Sequence, residues 1–326
     1  MAAEAPPGRA PGLHGLLVVD KPGLPADPPT PLPRLLTSHD VVQQVRRWSG
    51  QRRIGHTGTL DPMASGVLVL CLGQATRLVE YYQGHDKTYL AEVRLGAATD
   101  TYDATGRVTE TAPIPPLETA TIERVLSRFQ GDLLQTPPAY SALKQGGEAL
   151  YRKARRGEAV ATAPRRVIIY HLELLAWRPP DRLSVRVRCS AGTYLRSLAH
   201  DLGIALGTVA HLVALRREVA GAFTLDHAHT LEAVQQAAGQ GALADLLLPM
   251  GTGLDLPVLL VDGEAARRLG HGQQVAVPAE LLDSLPGSDG LAQALDPSSA
   301  LLGIVRCLGA TEGDNLLWKA EKWLTV

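Results

Sequence analysis

Apolar and polar positions alternate with period two in two stretches of the chain and recur at helical spacing in three others. Tyr89 to Leu95 sets Tyr89, Ala91, Val93 and Leu95 on one side and Glu92 and Arg94 on the other, the pattern of a strand with one buried face. Leu183 to Cys189 repeats it, with Val185 and Val187 opposed to Arg186 and Arg188, which predicts a half-buried strand with a cationic outer face. Helices are expected at Val41, Val42, Val45 and Trp48 behind Ser38, at Ile122, Val125, Leu126 and Phe129 after the proline-rich turn at 113–116, and at Leu198, Leu202, Ala205 and Leu206. The longest apolar run, Val67-Leu68-Val69-Leu70-Cys71-Leu72, is far short of the ~20 residues of a membrane span. Pro22, Pro25, Pro28, Pro29, Pro31 and Pro33 predict an extended loop near the N-terminus. Helices and strands mix without a regular strand–helix–strand beat, so the expected class is α+β. Around 249–257 the prolines and glycines read as a linker, and short apolar strands at 258–261, 302–308 and 315–320 then predict a small, β-rich second domain. The expected division is 1–250 and 251–326.

Composition adds little until charge is followed along the chain. The 326 residues are 45% apolar and 20% charged, with a net charge of −1, as in an ordinary globular protein. Residues 41–220 carry 24 Lys+Arg against 16 Asp+Glu, a balance of +8, whereas residues 221–326 carry 5 against 13, a balance of −8. A basic body with an acidic tail points to a polyanionic partner for the body. Of the 32 cations 26 are arginine, whose planar fork suits phosphate and base stacking. Cys71, Cys189 and Cys307 are widely spaced, and Met1 to Gly15 lacks the charged start and apolar stretch of a secretory signal. A cytoplasmic location is expected, with no membrane association.

The most distinctive candidate for chemistry is Gly55-His56-Thr57-Gly58-Thr59-Leu60-Asp61-Pro62, followed by an apolar wall. A carboxylate at the edge of such a wall suits nucleophilic or acid–base chemistry, although an Asp–Pro pair also makes an ordinary turn. A phosphate loop fails, since no Lys-Ser/Thr follows the glycines. His227 and His229 lack further ligands at metal spacing, and no Gly-x-Ser-x-Gly elbow or complete dinucleotide fingerprint is present. No metal or cofactor is expected. Asp86-Lys87-Thr88-Tyr89 and Gly192-Thr193-Tyr194-Leu195-Arg196 deliver aromatic side chains, and in the second case an arginine, to strand ends.

Taken together, these segments resemble the TruB family of tRNA pseudouridine synthases. Asp20-Lys21-Pro22, Thr37-Ser38-His39-Asp40, Thr99-Asp100-Thr101-Tyr102-Asp103, Pro138-Ala139-Tyr140-Ser141-Ala142-Leu143-Lys144 and Leu215-Arg216-Arg217 occur in the order the family shows. The resemblance covers about 14–250, and the tail resembles a PUA-like RNA-binding module. It implies a catalytic domain on a mixed, largely antiparallel sheet, and cofactor-free conversion of uridine-55 in the T-loop of tRNA to pseudouridine by a stand-alone monomer. By motif position Asp61 matches the catalytic aspartate and Arg196 the arginine paired with it. Tyr89 matches the tyrosine that stacks on the target base and is proposed to help remove a proton. His56 matches the histidine that fills the space the base leaves, and Tyr194 and Leu215 match residues lining the base pocket. The insertion at 24–36 departs from the family, where the two flanking motifs nearly abut.

The implied chemistry is physically coherent. A base in a folded loop must first be flipped out, at a cost of a few kcal/mol; stacking on Tyr89, worth ~1–3 kcal/mol, offsets it. The aspartate can attack the sugar, attack the base or remove a sugar proton, and the sequence suits all three. Two rivals use the same residues: a tRNA-binding or chaperone protein without turnover, disfavoured by Asp61, Tyr89 and Arg196 occurring together, and a guide-RNA-dependent relative, disfavoured by the acidic tail.

Overall fold

In the computed structural model, which describes residues 12–138, 140, 144–145, 148–149, 156, 162–287, 289–311 and 314–324, the alternating segments become neighbours in one mixed sheet of ten strands. Its order is His229–Thr230, Gly15–Lys21, Ser65–Leu72, Ala210–Ala220, Lys87–Leu95, Arg182–Cys189, Arg165–Arg178 and Gly131–Gln135, with Ile54–His56 and Phe223–Thr224 at the margins. Among the described residues its pairing is antiparallel except for two short parallel contacts, Val19 with His229 and Gly66 with Arg217. The class is α+β, as the pattern predicts.

How each strand is covered explains how it reads. Ser65–Leu72 is packed on both faces and so has no polar side. Leu68, Leu70 and Leu72 join Leu17, Val41, Val45, Ile122 and Leu198 in the larger core. Val67, Val69 and Cys71 join Leu16, Val18, Tyr82 and Phe223 in a second one. Lys87–Leu95 and Arg182–Cys189 alternate because only one of their faces meets the larger core. The other face carries ion pairs: Arg94–Asp181 at 3.0 Å, Arg186–Glu218 at 3.0 Å, Arg188–Asp86 at 3.3 Å, and Arg178–Glu92. The cationic outer face is therefore one on which arginines already have carboxylate partners.

The helices start where the sequence gives them caps. Ser38–Ser49 begins with a capping box, in which the Thr37 hydroxyl accepts the Asp40 N–H and the Asp40 carboxylate accepts the Thr37 N–H. It ends at Gly50, whose φ of 66° suits glycine. Thr119–Ser127 and Leu195–Ala205 lay Val125, Leu126, Ala199 and Leu202 on the same core.

Residues 258–323 form a separate five-stranded sheet in the order Val258–Leu260, Leu291–Leu295, Leu301–Ala310, Asn315–Trp323, Val275–Pro278. Its core gathers Leu259, Leu269, Val305 and the fully buried Trp318. The segment read as a linker is docked instead. Leu254 packs with Leu291, Ile304 and Leu324 against the second core, and the Tyr82 hydroxyl donates to the Met250 carbonyl. Arg77 Nη1 also donates to the Trp323 carbonyl at 2.6 Å. Glycine and proline there serve a turn under a buried surface, which composition alone reports as flexibility. The proline-rich insertion is tied down as well: the Leu24 N–H donates to Met63 O at 2.8 Å, and Arg182 donates to Ala26 O at 2.9 Å. Among the described residues no helix is long and apolar enough to cross a membrane.

Candidate active site

Asp61 sits in the connection between Ile54–His56 and Ser65–Leu72, and backbone-directed bonds fix that connection. The Thr57 N–H donates to Val69 O at 3.1 Å. Ser38 Oγ accepts from the Leu60 N–H at 2.8 Å and donates to Leu60 O at 3.1 Å, which makes the first turn of the helix a brace for the loop. Lys21, fully buried, donates to the carbonyls of Pro22 (3.0 Å), Pro62 (3.0 Å) and Ala64 (2.7 Å). Burial draws its ammonium down to about 8, with the charge of Asp61 pulling the other way. Where the loop rejoins the sheet, Gly66 has φ 101° and a Cβ there would lie 2.2 Å from Arg217 O, so only glycine permits the parallel contact.

The carboxylate is held in a two-bond fork. Arg196 Nε donates to Asp61 Oδ2 at 2.8 Å and Nη2 to Oδ1 at 3.0 Å. The guanidinium is 3% exposed and also donates to Thr101 O (3.2 Å) and Tyr140 O (2.9 Å). Asp103 Oδ2 lies 3.7 Å from Arg196 Nε. Asp103 is aimed by Thr101 Oγ1, which donates to its Oδ1 at 2.9 Å, and by the Thr105 N–H at 2.9 Å. Arg196 thus lies behind, between two carboxylates, and the Asp61 side chain, 30% exposed, faces a cleft of about 440 Å³.

Tyr89, Tyr194 and Leu215 line that cleft with Asp61 and Arg196, and Lys87 and Arg217 complete its wall. Tyr89, on Lys87–Leu95, is 8% exposed and pairs across the strands with Arg217 and Val187. Burial raises its hydroxyl above the usual tyrosine range, and Arg217 opposes the rise. Tyr194 precedes the helix Leu195–Ala205, and Gln135 clamps its backbone. The Tyr194 N–H donates to Gln135 Oε1 at 2.8 Å, and Gln135 Nε2 donates to Tyr194 O at 3.0 Å. Five of the six residues singled out from sequence therefore meet at one cleft. His56 is not in its wall; it pairs with Leu70 one residue before the lining Thr57. Its Nδ1 is buried with no partner among the described residues, and burial lowers its ring below the usual histidine value. The Gln135 clamp has no sequence signal, since nothing in Gly131–Gln135 marks a glutamine that must face a helix start 59 residues away.

Residues 46–195 match the model of the TruB family pseudouridylate synthase N-terminal domain, and residues 196–255 match that of the tRNA pseudouridylate synthase B C-terminal domain. The chain belongs to the TruB family. Its similarity to tRNA pseudouridine synthase B of Symbiobacterium thermophilum is 48% identity over 244 residues, 74% of this chain and 80% of that protein. To the protein of the same name from Xanthomonas campestris pv. campestris (strain B100) it is 41% over 306 residues, 93% and 94%. Among solved structures, a Cbf5-Nop10-Gar1 complex matches with a TM-score of 0.71 and 27% identity over 95% of this chain and 85% of the other. As a TruB-family enzyme the protein makes pseudouridine in tRNA, an isomerisation. In that reaction both the bond to N1 and the bond to C5 involve one sugar carbon, and among the described residues lining the cleft Asp61 is the carboxylate.

Proposed function

We propose that the protein isomerises uridine-55 in the T-loop of tRNA, acting alone in the cytoplasm as a monomer. The target base is flipped into the cleft and stacks on Tyr89, between Tyr194 and Leu215, while His56 enters the space it leaves. Asp61 carries the covalent or proton-transfer step at the sugar, Arg196 keeps its two oxygens aimed, and Tyr89 takes part in removing the C5 proton. The reaction is a redox-neutral rearrangement that exchanges only the C5 and N1 protons with solvent, and Asp61, Arg196 and Tyr89 carry it without a metal or cofactor. Residues 1–250 form the catalytic domain and 251–326 a PUA-like RNA-binding module; the separate sheet with its own core supports that division.

One observation carries the reading: a carboxylate forked by a buried arginine faces a cleft of a size usual for small-molecule sites. A protein that only binds or refolds tRNA has no use for that pairing. The identity of 41–48% with proteins named tRNA pseudouridine synthase B, against 27% with a Cbf5-Nop10-Gar1 complex, favours an enzyme that acts without such partners. The test is tritium release from an unmodified tRNA transcript carrying 5-tritiated uridine, with no other component. Wild type should release about one equivalent per tRNA and a transcript with cytidine at position 55 none, while Asp61→Asn should bind and release none. Binding without release by wild type would leave a chaperone.

A further inference from the structure

Among the described residues, two buried cations in the cleft wall have no carboxylate partner. Arg217 is 2% exposed and donates from Nε to Val67 O at 2.7 Å and from Nη2 to Gly58 O at 3.1 Å, and its guanidinium also bonds the Tyr89 hydroxyl. Lys87 is 8% exposed and donates to Gln83 O at 2.7 Å and to His85 O. Neither forms an ion pair among the described residues, and the nearby carboxylate of Asp86 is engaged by Arg188 at 3.3 Å. The two meet at one point: a Cβ built on Gly58 would lie 3.7 Å from Arg217 Nη1 and 4.0 Å from Lys87 Cε. Burial, and after it the charge of Arg217, lowers the Lys87 ammonium to about 8. On the Asp61 side the arrangement is opposite, with one guanidinium set between two carboxylates.

Buried charge without a counter-ion is costly, and a protein that keeps two such groups together in a substrate cleft holds them for an anion. We propose that Lys87 and Arg217 form an anion subsite for the uracil ring, stabilising its negative charge while it is detached from the ribose. This rests on the isomerase reading above. The C1′–N1 bond breaks heterolytically and its electron pair leaves with the base, as a uracil monoanion spread over N1, O2 and O4. The electron deficiency at C1′ is met at Asp61, by a bond to its oxygen or by loss of a neighbouring sugar proton to it. The anion turns, C5 returns an electron pair to C1′ as the Asp61 step reverses, the C5 proton leaves and N1 gains one. Charge is thus greatest on the base between the two bond changes, and Lys87 and Arg217, at the wall beside Tyr89, are where fixed cations offset it. A backbone phosphate of the same nucleotide offers the same charge. The depth of the two cations, beside the ring-stacking Tyr89 and the apolar Leu215, favours the base.

The experiment measures single-turnover tritium release and tRNA affinity at two salt concentrations, with melting temperature, for wild type, Lys87→Met, Lys87→Arg, Arg217→Met and Arg217→Lys. Each methionine variant should slow single-turnover release by about 100-fold, as loss of one preorganised charge-stabilising donor does. Affinity should stay within about 3-fold, and the charge-keeping variants should recover at least a tenth of the wild-type rate. If instead affinity falls, its salt slope drops by about one, and release at saturating tRNA is unchanged, the cations hold a phosphate and the proposal fails. It fails equally if release is unchanged, or if Lys and Arg variants are as slow as Met with matching losses in melting temperature. Absence of release by wild type would instead overturn the isomerase reading.

Discussion

The two faces of the central sheet treat the same residue type in opposite ways. On the face of the larger core, Arg196 and Arg217 are almost fully enclosed; Arg196 forks Asp61 at the cleft, and Arg217 donates to Gly58 O in the loop that shapes it and to Val67 O on the strand behind. On the other face, Arg94, Arg178, Arg186 and Arg188 remain 43–60% exposed and pair with carboxylates on the strand next but one or on the loops beside them. Enclosed cations are expensive and keep their geometry, whereas exposed pairs cost little and contribute little. Arginine count therefore says nothing about where the polyanion binds; the enclosure of each guanidinium decides its role.

The sharpest way to break this contrast is at Arg196. Arg196→Met leaves Asp61 and Asp103 facing each other without a cation. We expect tritium release to fall by about three orders of magnitude and folding stability, read by urea denaturation, by about 3–5 kcal/mol. Release within tenfold of wild type would remove the fork from the mechanism. Next in size is Gly66→Ala, which forces a methyl against the Arg217 carbonyl; a loss of at least about 3 kcal/mol is expected in the same denaturation. A neutral outcome would mean that the two strands can part without harm to the site.

Smaller effects sharpen the outer side. Tyr82→Phe removes the bond to Met250 O under the docked C-terminal sheet and should cost about 1 kcal/mol. A change of apparent zero in the denaturation midpoint would show that the docking is apolar alone. Arg94→Ala should change stability by less than about 1 kcal/mol, and Arg186→Ala and Arg188→Ala should leave the salt slope of tRNA binding where it was. Arg165 and Arg166, which form no ion pair among the described residues, are the counter-case. Replacing both by glutamine should lower that slope by about two. Equal slopes for the two sets would place RNA on neither.

Much of this was legible in the chain. Val41, Val42 and Val45 marked their helix because burial on one side imposes a period, and Tyr89 to Leu95 marked its strand for the same reason. The motif around Asp61, with Tyr89, Tyr194, Arg196 and Leu215, named the residues that meet at the cleft. Ala210–Ala220 was not read as a strand, although it is the one that joins Ser65–Leu72 to Lys87–Leu95. Its mixture of buried His211 and Arg217 with apolar neighbours breaks both periodicities. Residues 152, 153 and 155 carry three further cations of the basic body and lie outside the described residues. Nor did the sequence separate Arg217 from Arg216, which pairs with Asp20 at 2.8 Å and is far more exposed.

What the linear order of residues determined was composition of the site and periodicity of the elements, since both depend on neighbours a few positions apart. What only the folded chain decided was enclosure. Gln135 meets Tyr194, Lys21 meets Pro62 and Ala64, and Arg217 meets Gly58 across separations of 41 to 159 residues. Whether a charge is screened by water or confined with its partner depends on those long-range meetings, and so does the energy it can lend to a reaction.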